Sequence, residues 1–132
     1  MIYEIDGDFL IDECIFIDEV MSYIIHELKI PSNVTVTFEK SEDLSGGCIE
    51  LDNDTFSVEI PTIKTGDIRE LAAFVIHEMK HVEQYANGKL AQGNMWKGTK
   101  MDGVDYLDQP WEIEAYEFEN EHTDWIVKEA CK

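Results

Sequence analysis

The pattern His77-Glu78-Met79-Lys80-His81, an H-E-x-x-H string, carries the most direct chemistry in this sequence. On a helix, residues i and i+4 stand one above the other, so His77 and His81 can hold one metal ion. Glu78 sits between them, where its carboxylate can take a proton from a water on that ion. An open zinc site needs a third protein ligand and leaves its fourth position to water. Cys48, a later histidine, or a carboxylate on another helix could supply that ligand.

The motif lies on a strong helical pattern. Thr65 or Asp67 caps it, and Glu70 is placed for a capping box if Asp67 is the cap. The helix is expected to run through His81 to about Asn87, with Gly88 just past its end. With His77 set at zero and about 100° per residue, His81 falls at about 40° and Glu78 at about 100°. Phe74, Tyr85, Leu71, Val82, Val75, Ile68, Met79 and Ala72 fill the arc from about 60° to about 220°. Glu78 therefore falls inside the apolar arc, with both histidines on its edge. A carboxylate on a core face is costly unless something satisfies it. A water on a metal would do so. The plainer alternative, a buried glutamate paired elsewhere beside two core-margin histidines, needs three coincident placements.

Asp108 and Pro110 open a last helix that runs through Trp111, Phe118 and Trp125 toward Lys128. Its apolar side is Trp111, Ala115, Phe118, His122, Trp125 and Ile126. Glu112 falls beside that stripe, and Glu119 lies on the same side two turns on. Glu114, Glu117 and Glu121 fall on the opposite face. The wheel thus ranks Glu112 first and Glu119 second as the third ligand. The plainer role for Glu112 is a carboxylate at a helix N-terminus, worth well under about 1 kcal/mol.

The remaining segments must position these two helices. Residues 1–6 alternate weakly, as a short strand or an extended arm. Residues 12–29 read as a helix, with Ile15, Phe16, Val20, Tyr23, Ile24 and Leu28 at three- and four-residue steps, ended near Pro31. Val34, Val36 and Phe38 alternate with Thr35 and Thr37, which predicts a half-buried strand. Residues 41–47 read as a polar loop. Residues 48–51 and 56–60 form a hairpin stopped by Pro61. Residues 88–109 form a long connection with Gly93, Gly98 and Gly103, a length uncommon unless functional or mobile. The expected fold is a single α+β domain over residues 1–132. It has an N-terminal helix, a small, mostly antiparallel sheet of three or four strands, the motif helix and the glutamate-bearing helix.

A chain of 132 residues with 44% hydrophobic residues is one globular domain by length and composition. Its formal net charge of −19 disfavours nucleic acid and anionic membrane as partners, because both repel it. The charge allows basic partners and cationic substrates, and it also serves solubility alone. Cys14, Cys48 and Cys131 are far apart and show no C-x-x-C spacing, so neither a disulfide framework nor a cysteine zinc site is expected. A reducing cytoplasm fits this usage. No basic segment followed by an apolar run opens the chain, and acidic residues interrupt the Ile-rich stretch 11–30, so it cannot span a bilayer.

The H-E-x-x-H motif, followed by Glu112-Ile113-Glu114-Ala115-Tyr116-Glu117-Phe118, resembles the gluzincin metallopeptidases. In that family a glutamate on a later helix, often in an E-x-x-A pattern, completes the zinc site. Small single-domain members include regulators that cleave phage repressors or respond to radiation. The stretch from Trp96 and Gly98 through Tyr106 to Ala115 is more specifically similar to small phage-encoded H-E-x-x-H proteins. The resemblance covers roughly the last half of the chain. It implies a zincin-like fold and a zinc-dependent metalloprotease with a peptide or protein substrate, acting in the cytoplasm of a bacterial or phage-infected host cell. It implies His77, His81 and Glu112 as zinc ligands and Glu78 as the catalytic base of the hydrolase. Many gluzincins carry Asp one turn after the glutamate ligand, where this chain has Tyr116. Support for the ligands must then come from elsewhere, such as Glu119 or His122. The family's downstream oxyanion histidine has no counterpart, which leaves Tyr106, Tyr116 and His122 as candidates for that role.

By analogy with zincin-like folds, residues 56–60 are expected to act as the edge strand that pairs with extended substrate. The Gly-spaced connection 88–109 is expected to cover the groove. Two other readings stand beside the peptidase. One is a zinc-binding regulatory protein without peptidase activity, in which the metal fixes two helices. The other is an acidic interaction module, in which the charge matters and the zinc ligands do not.

Overall fold

A computed structural model of the chain describes residues 1–42 and 46–132. The order is β1 (Ile2–Ile5), α1 (Ile11–Ile24), β2 (Thr35–Ser41), β3 (Gly47–Asp52), β4 (Thr55–Pro61), α2 (Ile68–Ala86), β5 (Leu90–Ala91), β6 (Met95–Trp96), β7 (Thr99–Lys100) and α3 (Pro110–Ala130). The α+β class expected from the sequence is the one observed. The polar loop expected over 41–47 is shorter, because Ser41 ends β2 and Gly47 opens β3; residues 43–45 lie outside the described residues.

Strands β1 to β4 form one sheet in the order β1-β2-β4-β3. The expectation of a mostly antiparallel sheet is corrected here. Only β3 and β4 pair antiparallel, while β1–β2 and β2–β4 are parallel. The physical reason is that α1 carries the chain back to the start of the sheet, so β1 and β2 must run the same way. The β3–β4 hairpin then folds so that β4 enters beside β2 and β3 is left outside. Residues 56–60 are therefore interior and form no edge; β3 is the edge nearest α2. Asp54 turns the hairpin with φ 63°, and its carboxylate accepts from Asn33 Nδ2 at 2.7 Å.

The alternation read in the sequence sets the faces. Val36, Phe38, Phe56, Val58 and Ile60 are buried and join one apolar cluster with Val20, Met21 and Ile24 of α1. Helix α1 stops at Ile24, short of the expected span. Its last turn tightens as Glu27 N–H donates to the Ile24 carbonyl at 2.9 Å. Ile15, expected on its apolar face, is exposed.

Helix α2 starts at its expected cap: Asp67 accepts from the N–H groups of Arg69 and Glu70 at 2.9 and 3.1 Å. Glu70 does not close a capping box; its carboxylate pairs with Lys64 at 2.8 Å. Gly88 follows the helix with φ 77°, as a left-handed terminator should. Residues 88–109 hold more structure than the sequence suggested. Strands β5, β6 and β7 form a small antiparallel sheet, and Leu90, Trp96 and Trp111 pack into a second apolar cluster. A 3-10 turn at Tyr106–Asp108 leads into α3, whose first residue is Pro110. No side chain caps α3, so Asp108 does not play the part expected of it. No helix among the described residues is long and apolar enough to cross a membrane. Cys14, Cys48 and Cys131 are all free thiols.

Candidate metal centre

Helices α2 and α3 meet along a buried polar seam. His77, Glu78, His81 and Glu112 are each less than a tenth exposed, at 6%, 8%, 7% and 7%. One ligand atom from each of His77, Glu78 and His81 lies within 4.8 Å of the others, so this group could hold a metal ion. Glu112 reaches across from α3. Its Oε1 stands 3.0 Å from His77 Nε2 and its Oε2 stands 3.1 Å from His81 Nε2. Donor atoms around a tetrahedral zinc stand roughly 3.3 Å apart, given metal–ligand distances near 2.0–2.2 Å. Two imidazole nitrogens and one carboxylate brought this close are a donor set that fits such an ion.

The other ring nitrogens are also held. His77 Nδ1 lies 3.1 Å from Glu119 Oε1, and His81 Nδ1 lies 2.7 Å from Gln84 Oε1. Glu119, ranked second as a ligand, thus sits behind His77 rather than beside both Nε2 atoms. Tyr106 donates its hydroxyl to Glu112 Oε1 at 3.0 Å and stands 3.4 Å from the Tyr116 hydroxyl. The Tyr116 ring packs on His77, with centroids 4.5 Å apart. His122 is not at the site. Its partners lie on α3 itself: it accepts from Trp125 Nε1 at 3.0 Å and packs on Phe118. These contacts hold the His122 ring against its own helix, and its hydrogen bond goes to Trp125 rather than to the group formed by Glu112, His77 and His81. The wheel placed its ring on the same apolar stripe as Phe118 and Trp125, and it packs against those two neighbours along the helix.

Protonation follows from this packing. Burial works against a charged His77, but the carboxylates of Glu112 and Glu119 outweigh it and raise its pKa to about 9. His81 moves up for the same reasons, through Glu112 and Glu78. Burial tends to raise the Glu112 carboxyl, yet hydrogen bonds from His77, His81 and Tyr106 bring it down to about 2. Glu78 moves the other way: burial raises it, only partly offset by the two histidines and by the Cys48 N–H it accepts. A carboxyl group that takes up a proton more readily than usual suits a group that must accept and release one.

Two clefts open on either side of Glu78 and Tyr106, which line both. One, of about 400 Å³, runs past Gly47, Cys48, Tyr85, Leu90 and Trp111. The other, of about 380 Å³, runs past Lys64, Arg69, Phe74 and Tyr116. Sequence reasoning missed Gln84, although it stands one turn after His81, as H-E-x-x-H-x-x-Q, and that spacing was readable. It also missed the Cys48 N–H, which no residue type announces. No protein-family model, curated protein or solved structure matches the chain, so its own geometry carries the reading of the site.

Proposed function

We propose that this protein is a metal-dependent peptide-bond hydrolase, with His77, His81 and Glu112 holding one zinc ion and Glu78 acting as general base. The observation that carries the reading is the approach of Glu112 on α3 to both Nε2 atoms on α2, at 3.0 and 3.1 Å. Two imidazoles and one carboxylate favour zinc among common metals, and the gluzincin-like motif order agrees. When bound, the ion would supply Lewis-acid polarisation of the scissile carbonyl and a more acidic water.

The protein's own groups do the rest. Glu78 takes the proton of the attacking water and passes it to the leaving amine nitrogen. Tyr106, whose hydroxyl already lies at the ligand carboxylate and on both clefts, donates to the oxyanion that forms on the carbonyl. Extended peptide pairs with the outer edge of β3, the edge strand beside α2. The two clefts receive side chains on either side of the bond that is cut.

The test uses zinc-loaded protein and a fluorogenic peptide library. Glu78→Gln should abolish cleavage and leave zinc stoichiometry unchanged. Cleavage that persists in that variant would sink the mechanism. Zinc held at these ligands with no peptide cleaved by the unaltered protein would instead favour a zinc-dependent regulator.

A further inference from the structure

We propose that Gln84 is a positioning residue that fixes His81 for the metal and ties that ligand to the helix carrying Glu112. The inference rests on the metal-ligand assignment above.

Gln84 is fully buried, at 0% exposed, in the seam between α2 and α3. Its carboxamide makes contacts in two directions. The oxygen lies 2.7 Å from His81 Nδ1, and the nitrogen donates to the Trp111 carbonyl at 3.0 Å and to Glu114 at 3.3 Å. The amide orientation is set by these partners, because the Trp111 carbonyl can only accept. The oxygen therefore faces His81, and His81 must present an N–H there. That leaves Nε2 as the ring atom available to a metal. The same side chain grips the backbone one residue before Glu112. One carboxamide thus sets the tautomer and ring angle of one ligand and the axial position of another. Removing a group of this kind behind a metal-bound histidine costs about 10–100-fold in metal affinity.

The seam supplies Gln84 where a carboxylate would be the stronger acceptor. The neutral amide has a reason. A carboxylate cannot donate, and the Trp111 carbonyl and Glu114 would then face a third group rich in lone pairs. Only an amide serves both sides at once.

The test is zinc affinity, by competition with a chromophoric chelator at fixed pH. Gln84→Met fills the space without hydrogen bonds and should weaken zinc about 10–100-fold. Gln84→Glu keeps the acceptor for His81 and should restore most of that loss, even if the metal-free protein is less stable. Equal loss in both variants would reduce Gln84 to a clamp between helices and overturn its role toward His81. So would unchanged affinity in Gln84→Met. A measurement free of variants is the histidine ring spectrum of the zinc-loaded protein, where His81 should carry its proton on Nδ1. A proton on Nε2 overturns the proposal. If the unaltered protein binds no zinc, this proposal and the metal reading fall together. If it binds zinc and cleaves nothing, only the hydrolase reading falls, and the affinity comparison still decides the role of Gln84.

Discussion

Helix α2 has two buried sides of opposite character. On one, Ala72, Val75, Ile76, Met79 and Val82 are all 0% exposed and join the apolar cluster with α1 and the sheet. On the other, His77 and His81 meet Glu112 and Glu119 of α3, and Gln84 meets the Trp111 carbonyl and Glu114. The apolar side stabilises the fold in proportion to the area removed from water, at about 25 cal/mol per Å². The polar side gains little net, because each buried group first loses its water. No buried side-chain polar atom among the described residues lacks a partner, so the seam avoids the worst cost without becoming a source of stability. A seam built this way makes physical sense as a place where something binds.

Breaking the apolar side should give the largest loss of stability. Met79→Ala should lower the unfolding free energy by about 2–5 kcal/mol, read by denaturant titration. Zinc stoichiometry in the folded protein should not change. A Met79→Ala protein that is as stable as the parent but binds less zinc would reverse the assignment of the two sides.

The polar side should show itself through the ligand. Zinc at 100 times its Kd should raise the unfolding free energy by about 2.7 kcal/mol. Glu112→Gln and His77→Ala should lose most of that gain, each measured against its own metal-free form, which is itself less stable because a buried partner is gone. A zinc-induced rise of the same size in His77→Ala would place the metal elsewhere.

Metal-free protein should report the seam through pH. His77 has a folded pKa of about 9 against 6.5, because Glu112 and Glu119 face it. A raised value means that its contribution is fully present below about 6.5 and is lost as pH rises toward 9. Glu112 has a folded value of about 2 against 4.5, so its contribution is present above 4.5 and is lost as pH falls toward 2. The chelated protein should therefore gain most from the seam between about pH 4.5 and 6.5. Thermal melts in chelator across this range, set against His77→Ala, isolate the effect. An unchanged difference from pH 6 to pH 9 would contradict it.

The sequence spelled out these two sides unequally. The apolar side was legible because helical periodicity and strand alternation report which face is buried, and Val36, Phe38, Val75 and Met79 all lie where those periods put them. The two histidines of the candidate metal centre were legible because i and i+4 spacing on a helix is geometry. Alternation does not name a strand's neighbour, so nothing in it shows that β4 lies inside the sheet and β3 at its edge. Strands β5 to β7 are two residues each, too short to show any period, and owe their place to Leu90, Trp96 and Trp111. His122 shares α3 with Glu112 but packs against Phe118 and Trp125, since a wheel gives an angle and not the partner beyond it. Gln84 was readable by spacing alone, yet a glutamine has no chemistry of its own to draw attention.

The smallest effect should come from a third kind of α2–α3 contact. Arg69 donates to Asp124 through Nε and an Nη at 3.1 and 2.8 Å, and the two side chains are 60% and 79% exposed. This pair joins the same two helices as the His77–Glu112 and His81–Glu112 contacts do, at similar distances. Water already solvates both ends, so little is gained by pairing them. Asp124→Asn should cost about 0.2–1 kcal/mol, and the difference should shrink further in high salt. Zinc affinity should be unaffected, which a chelator competition can check. If that one exposed substitution weakened zinc binding as much as a buried one, the helices would be positioned by their surface rather than by the seam. The burial of Gln84, Glu112 and the two histidines argues for the opposite ranking.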